Sequence, residues 1–232
     1  MKRYALLCLP LGLLLLSDGC GRTGASATLL TQDTSTVPAM SAPELPRLPV
    51  HSAIVRKVVD GALAQTQVTR LYDASYVSLS YPNGDVPRDR GVCSDVVIRA
   101  FRSGGVDLQR KVHEDMAAHF AAYPHLWGLK RTDTNIDHRR VPNLMTFFTR
   151  QGKSLPISKN ASDYHPGDVV MWRLNEGGLV HTGLVVDQLS GPNGNPLIVH
   201  NIGAGAQLED VLFAWSLIGH YRYFSESGKG AK

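Results

Sequence analysis

The sequence predicts an α+β domain in which amino-terminal helices pack on an antiparallel sheet. In the first half, apolar residues recur at helical spacing, first in residues 52–68 and again from residues 93 and 142. In the second half short apolar segments are separated by Gly- and Asn-rich turns, and the last segment, residues 218–224, alternates. Helices that precede such a run of strands are typical of this class, because short turns let consecutive strands pair antiparallel.

The first three elements follow in order along the chain. Residues 52–68 place Val and Ala side chains on one face and predict the first helix. Residues 76–81 alternate and predict a short strand, which the Pro- and Gly-containing segment 82–85 ends with a turn. A second helix begins near Cys93 and ends at Gly104, because glycine readily adopts the conformation that closes a helix.

The remaining elements are a helix, a loop, a further helix and the strands. Residues 107–122 predict a helix before Pro124, residues 125–140 have no period and predict a loop, and Pro142 suits the first turn of a helix that reaches residue 150. The predicted strands are 169–172, 181–186, 196–200 and 218–224.

The first twenty residues have the features of an export signal. Lys2 and Arg3 precede an apolar segment, residues 5–16, that is too short to span a bilayer. Gly19 before Cys20 resembles a bacterial lipoprotein cleavage site, so Cys20 either carries a lipid or is left free by ordinary cleavage nearby. We therefore expect a periplasmic protein, anchored to the outer membrane if Cys20 is lipidated and otherwise without membrane contact.

The rest of the chain divides into a tether and one domain. Residues 21–50 are rich in Ser, Thr, Ala and Pro and bury too little apolar surface to fold, whereas residues 51–232 have a globular composition. The formal net charge of +4 falls to +3 without the first twenty residues. A mildly basic, exported protein without long basic runs is not expected to bind nucleic acid.

Cys93 is the one cysteine of the predicted domain, so it has no partner for a structural disulfide. It lies in the first turn of a predicted helix, where backbone N–H groups lower a thiol pKa and can receive an oxyanion. His181 and His200 lie on strands that a short loop makes neighbours. We expect Cys93 to be a nucleophile and His181 its general base, with His200, or else Asn201, orienting the base.

The order of these motifs resembles that of the NlpC-type cell-wall peptidases, a group within the papain-like superfamily. The matching segments are Cys93 at a helix start, Pro166-Gly167-Asp168 before a strand, His181-Thr182-Gly183 on the next strand, and His200. Over residues 72–223 the chain resembles more closely a YijF-like bacterial family of unknown function, through GVCSDVVIRA, TNIDHRRVPNL, PGDVV and IVHNIGAG. This implies a papain-like fold and a Cys-His-His triad that hydrolyses an amide bond in peptidoglycan stem peptides without a cofactor or metal.

Three residues are predicted to contact the substrate. Arg139 and Arg140 lie in the long segment between the cysteine and the strands, and two adjacent guanidinium groups suit the carboxylates of a stem peptide. Ordinary ion pairs in an exposed loop are the alternative. Trp172 and Trp127 would wall a cleft, although core packing is the default explanation for each tryptophan. Asp95, two residues after the cysteine, either assists it or caps the helix.

Three other functions fit the same residues. One thiolate and two imidazoles are reasonable zinc ligands. A papain-like domain without chemistry would act as a cell-wall-binding module. An acyltransferase would use the same Cys-His pair and pass the acyl group to an acceptor other than water.

Overall fold

The computed structural model describes residues 44–174 and 178–224. The predicted export signal, Cys20 with its predicted lipidation, and residues 21–43 of the predicted tether lie outside the described residues. Within the described part, no helix is long and apolar enough to cross a bilayer.

Four α-helices form one layer of the domain. The Ser52 side chain caps the first by accepting from the N–H of Val55, and the Asp107 side chain caps the third by accepting from the N–H of Gln109. Pro142 lies in the first turn of the fourth. The helices are α1 (Ala53–Val68), α2 (Cys93–Ser103), α3 (Leu108–Ala118) and α4 (Val141–Arg150), and short 3-10 turns occupy Phe120–Ala122, Asp137–Arg139 and Ala161–Asp163.

A five-stranded antiparallel sheet forms the second layer, and the predicted α+β class is confirmed. Its order is β6-β5-β4-β3-β7, and a separate two-stranded parallel pair joins β1 to β2. The strands are β1 (Leu71–Tyr72), β2 (Arg90–Gly91), β3 (Val169–Leu174), β4 (Leu179–Leu189), β5 (Pro196–Asn201), β6 (Ala206–Glu209) and β7 (Ser216–Tyr221).

Strand alternation divides the sheet residues between two cores. Met171, Leu184 and Val199 pack in the larger core with the helices. Their neighbours along the strands, including Trp172 and Ile198, pack on the reverse face with Tyr164, Val170, Val185 and Leu212. His181 and His200 follow the same alternation and therefore lie on this reverse face.

Several local features differ from the sequence prediction, among them the short β1–β2 pair, which was not predicted. Residues 76–81 form no strand, because side chains bond their backbone instead: Leu79 N–H donates to Asn135 Oδ1 (2.7 Å), and Gln109 Nε2 donates to the Ser80 carbonyl (2.9 Å). Strand β6 was not predicted. Residues 46–48 pair with residues 187–189 of β4, which brings them into the domain ahead of the predicted start at residue 51.

Candidate active site

Cys93 is the first residue of α2, and backbone N–H groups surround its sulfur. The Asp95 side chain accepts from the N–H of Val92 (2.7 Å) and so fixes the turn that carries the cysteine. The N–H groups of Thr182, Ser94 and Cys93 itself lower the pKa of the thiol. Because Thr182 lies on β4 directly after His181, this contact places the sulfur alongside the strand that bears the predicted base.

Burial nevertheless determines the direction in which the pKa of the Cys93 thiol is shifted. Only 5% of Cys93 is exposed, and desolvation raises the thiol pKa to about 11, with the negative charge of Asp95 acting in the same direction. The sequence predicted a lowered value from the helix amino terminus alone. That prediction is wrong, because the cost of burying a thiolate exceeds the stabilisation by the three N–H groups.

His181 and His200 form a hydrogen-bonded pair. His181 Nε2 lies 2.9 Å from His200 Nδ1, and Gly183 of β4 pairs directly with His200 of β5. A Cβ atom on Gly183 would lie 2.5 Å from Ile198 Cγ2 and 3.1 Å from His200 Cβ. The glycine of the His-Thr-Gly motif therefore makes room for the second histidine.

No hydrogen bond joins the Cys93 sulfur to a nitrogen of His181 in the described part of the chain. The β4–β5 register begins at Gly183, and one residue earlier the Thr182 N–H faces the sulfur. The thiol therefore lies at the β4 residue that follows His181, without a hydrogen bond to the imidazole. Such hydrogen bonds are often long in unliganded enzymes and tighten when substrate binds.

The Trp172 ring packs against the histidine pair. Its ring stacks on His181 at 5.6 Å between centroids and 25° between planes, and its Nε1–H donates to the Leu212 carbonyl (3.0 Å). Trp215 meets both histidine rings edge-on. Trp172 is fully buried and does not line the cavity at Cys93, so its predicted role as a substrate contact is corrected: its ring packs against His181 instead.

Glu209 extends the pair to a third side chain that the sequence analysis did not identify. Its Oε2 lies 2.8 Å from His200 Nε2. The sequence did not indicate Glu209, because β6 is only four residues long and follows a Gly-rich turn. The alternation of Ala206-Gln207-Leu208-Glu209 was the available signal.

Asn201 has a different role from the one considered for it. Its Nδ2 donates to the carbonyls of Gly91 (2.9 Å) and Leu71 (3.3 Å). It therefore ties the end of β5 to the short parallel pair that leads into α2. His200, and not Asn201, contacts His181.

Arg139 is paired within the protein. Its Nε and Nη2 atoms each lie 2.9 Å from a carboxylate oxygen of Asp95, and Nη1 donates to the Ser75 carbonyl. Both side chains are almost fully buried. The Arg139 carbonyl also accepts from the Ser94 hydroxyl (2.6 Å). The predicted role of Arg139 as a substrate clamp is therefore corrected, because its donors already hold the start of α2.

Arg140 differs from its neighbour. Its guanidinium carbon lies 4.3 Å from the centroid of Trp127, and its buried Nη1 has no hydrogen-bond partner in the described structure. Burial lowers the pKa of Arg140, while Asp137 and Asp133 oppose this. Arg140 lines a cavity of 340 Å³ whose wall also includes Cys93, Trp127 and Val180.

Three of the four ring nitrogens of His181 and His200 are committed to hydrogen bonds. Two imidazole ligands of one tetrahedral zinc ion, each about 2.05 Å from the metal, would lie about 3.3 Å apart with both lone pairs turned to the ion. Here the two nitrogens face each other at 2.9 Å, and the remaining His200 nitrogen faces Glu209. In the described residues, no group of three or more His, Cys, Asp or Glu side chains is arranged to hold a metal.

Fold and site together define an α+β domain with a helix-tip cysteine beside a strand that carries a hydrogen-bonded histidine pair. The chain belongs to the family described as Domain of unknown function (DUF1287), which matches residues 59–223. It is 62% identical over 167 residues to the "Uncharacterized protein YijF" of Escherichia coli (strain K12), across 72% of this chain and 80% of that protein. The predicted YijF-like family is thereby confirmed.

Two solved structures are similar to the chain at low sequence identity. NlpC1 from Trichomonas vaginalis has a TM-score of 0.42 and 13% identity, over 77% of this chain and 47% of that one, so the chain spans about half its length. An N-acetylmuramoyl-L-alanine amidase from Bacteroides uniformis has a TM-score of 0.42 and 13% identity, over 73% of this chain and 99% of that one. Similarity at this level carries no information about the reaction.

Proposed function

We propose that this protein is an exported cysteine hydrolase that cleaves an amide bond in peptidoglycan stem peptides. The observation that carries the proposal is the position of the Cys93 sulfur, which lies at a helix tip against the strand residue that follows His181. The motif resemblance to cell-wall peptidases supports the substrate class, and the apolar, basic start of residues 1–20 supports export.

The resting site holds a neutral thiol and a neutral imidazole. Burial lowers the pKa of His181 to about 3, with His200 adding to the shift, while burial raises that of Cys93. When a carbonyl carbon reaches the sulfur, the thiol proton passes to His181 as the C–S bond forms. The N–H groups at the tip of α2 stabilise the oxyanion that develops.

The imidazolium then protonates the leaving nitrogen, and the C–N bond breaks to leave a thioester on Cys93. His181 next takes a proton from water as the hydroxide attacks the thioester; the C–S bond then breaks, His181 returns the proton to the sulfur, and the acid leaves. One water is consumed for each amide bond that is cleaved.

Arg140 is proposed to hold a carboxylate of the substrate beside Cys93. Its unpartnered Nη1 is the feature that supports this role, because a buried donor without an acceptor gains a full hydrogen bond when an anion enters. Stacking on Trp127 holds the guanidinium plane at the cavity wall. Asp137 and Asp133 are the nearby acids, and neither lies within ion-pair distance of the Arg140 guanidinium.

Two alkylating reagents of similar size test this clamp. Iodoacetate carries a carboxylate and iodoacetamide does not, and both react with the thiolate of Cys93, so their rate ratio is independent of the thiolate fraction. We expect Arg140→Gln to lower the iodoacetate-to-iodoacetamide ratio about fivefold, which is the effect of a partly screened unit charge nearby. Mass spectrometry of the Cys93 peptide measures both rates.

Arg110→Gln is the matched control for that experiment. It removes the same charge from an exposed position on α3 that does not line the Cys93 cavity. The Arg110→Gln ratio should equal that of the wild type. An Arg140→Gln ratio that also equals the wild type would exclude the clamp.

The proposed reaction is tested by incubating the full chain with purified peptidoglycan and identifying the products by mass spectrometry. Hydrolysis predicts fragments that together gain one water and carry a new amine and a new carboxylate. Soluble stem peptides serve as a second substrate. If both substrates stay unchanged relative to a protein-free sample, the proposed substrate class is wrong, and a fragment joined to an added amine would reassign the reaction to acyl transfer.

A further inference from the structure

We infer that Glu209 is a positioning residue that fixes which nitrogen of His181 is free to act as the base. The inference rests on the proposed function, in which His181 takes the thiol proton. It adds a fourth side chain to the three that the sequence pattern indicated.

The chain of hydrogen bonds determines each proton position in turn. A carboxylate only accepts, so His200 Nε2 must carry the proton that it donates to Glu209 (2.8 Å). A neutral imidazole has one ring proton, so His200 Nδ1 is bare and accepts from His181 Nε2–H (2.9 Å). His181 Nδ1 is then left unprotonated, as a general base requires.

The neutrality of the rings has a physical cause. His181 and His200 are almost fully buried, and burial lowers the pKa of both. Trp172 and Trp215 cover the rings. Burial therefore keeps both rings neutral. The carboxylate of Glu209, at the end of the hydrogen-bonded series, selects the tautomer of both histidines.

Strand register explains how Glu209 reaches His200. Glu209 pairs with Ile198, two residues before His200 on the same face of β5, and such diagonal positions are within reach of a long side chain. Gln207 lies directly opposite His200, but its Nε2 donates to the Ala204 carbonyl. The Glu209 side chain is 47% exposed, so solvent reaches the carboxylate while the histidines stay covered.

Glu209→Gln tests the inference with little change of shape. An amide can face His200 with either its oxygen or its nitrogen, so it no longer selects one tautomer. We expect kcat to fall about 10- to 100-fold with KM within about twofold, since only proton positions change. In nitrogen-15 NMR spectra of the ring nitrogens, the single His181 tautomer of the wild type should split into two populations.

Asp210→Asn is the matched control, because it removes the same charge from the next residue, whose carboxylate bonds Asn195 in an outer turn. Loss of individual signals in His181→Gln and His200→Gln assigns the spectra. A proton on His181 Nδ1 in the wild type, or Glu209→Gln spectra and kcat identical to the wild type, would overturn the inference. The spectra need no substrate, so they decide the role of Glu209 even if the wild type proves inactive on peptidoglycan.

Discussion

Replacing Cys93 by alanine is expected to lower turnover of a cleaved stem peptide by at least about 10⁴-fold, because no other group in the site can form the thioester. Residual rate would come only from substrate binding and the oxyanion-stabilising N–H groups. The side chain is small and buried, and its loss should change the free energy of unfolding by about 1 kcal/mol or less. Product formation and thermal unfolding, measured on the same preparation, separate the two effects.

Ser103→Ala is a suitable control for the cysteine variant. Ser103 lies at the other end of α2, where its hydroxyl bonds the Arg99 carbonyl. It should keep wild-type turnover. Turnover by Cys93→Ala above about one-tenth of the wild-type rate would mean that the sulfur is not the nucleophile.

Replacing Arg139 by methionine is expected to lower the free energy of unfolding by about 3–5 kcal/mol. The substitution leaves the Asp95 carboxylate buried without its two guanidinium hydrogen bonds at 2.9 Å. Uncompensated burial of a charge is far more costly than the loss of the pair itself. Urea unfolding followed by circular dichroism measures the change.

Arg150→Met is the control, because Arg150 pairs with Asp115 in a more exposed bridge at 2.7 Å, and its loss should lower the free energy of unfolding much less. The double variant Asp95→Leu/Arg139→Met should recover much of the loss, since both charges are removed together. If Arg139→Met costs no more than Arg150→Met, the buried pair does not stabilise the start of α2.

Local periodicity was sufficient to predict most elements of this fold. Helical spacing predicted α1 closely, short apolar segments between turns predicted β3, β4 and β5, and alternation predicted β7. It failed where the number of residues was small or where side chains bonded the backbone. Four residues of β6 carry too short a pattern, and Asn135 and Gln109 hold the predicted strand at residues 76–81 in an irregular form.

The site residues show a second limit of prediction from the sequence. Arg139 and Arg140 are adjacent and look equivalent in the sequence, but Asp95, far away along the chain, engages only the first. The expected lowering of the Cys93 pKa followed from the helix position alone, whereas the raised value follows from burial beneath neighbouring elements. Glu209 became visible only through the register of β6 against β5. Each of these depends on contacts between distant segments, which periodicity does not record.

All three tryptophans of the chain border the site, since Trp172 and Trp215 surround the histidine rings and Trp127 lies under Arg140. The tryptophan fluorescence of the folded protein therefore arises entirely from residues beside the candidate site. Ligand entry at the cavity or a proton arriving on His181 would alter that emission directly. The molecule thus carries a label-free optical probe with which candidate substrates can be screened before any product is known.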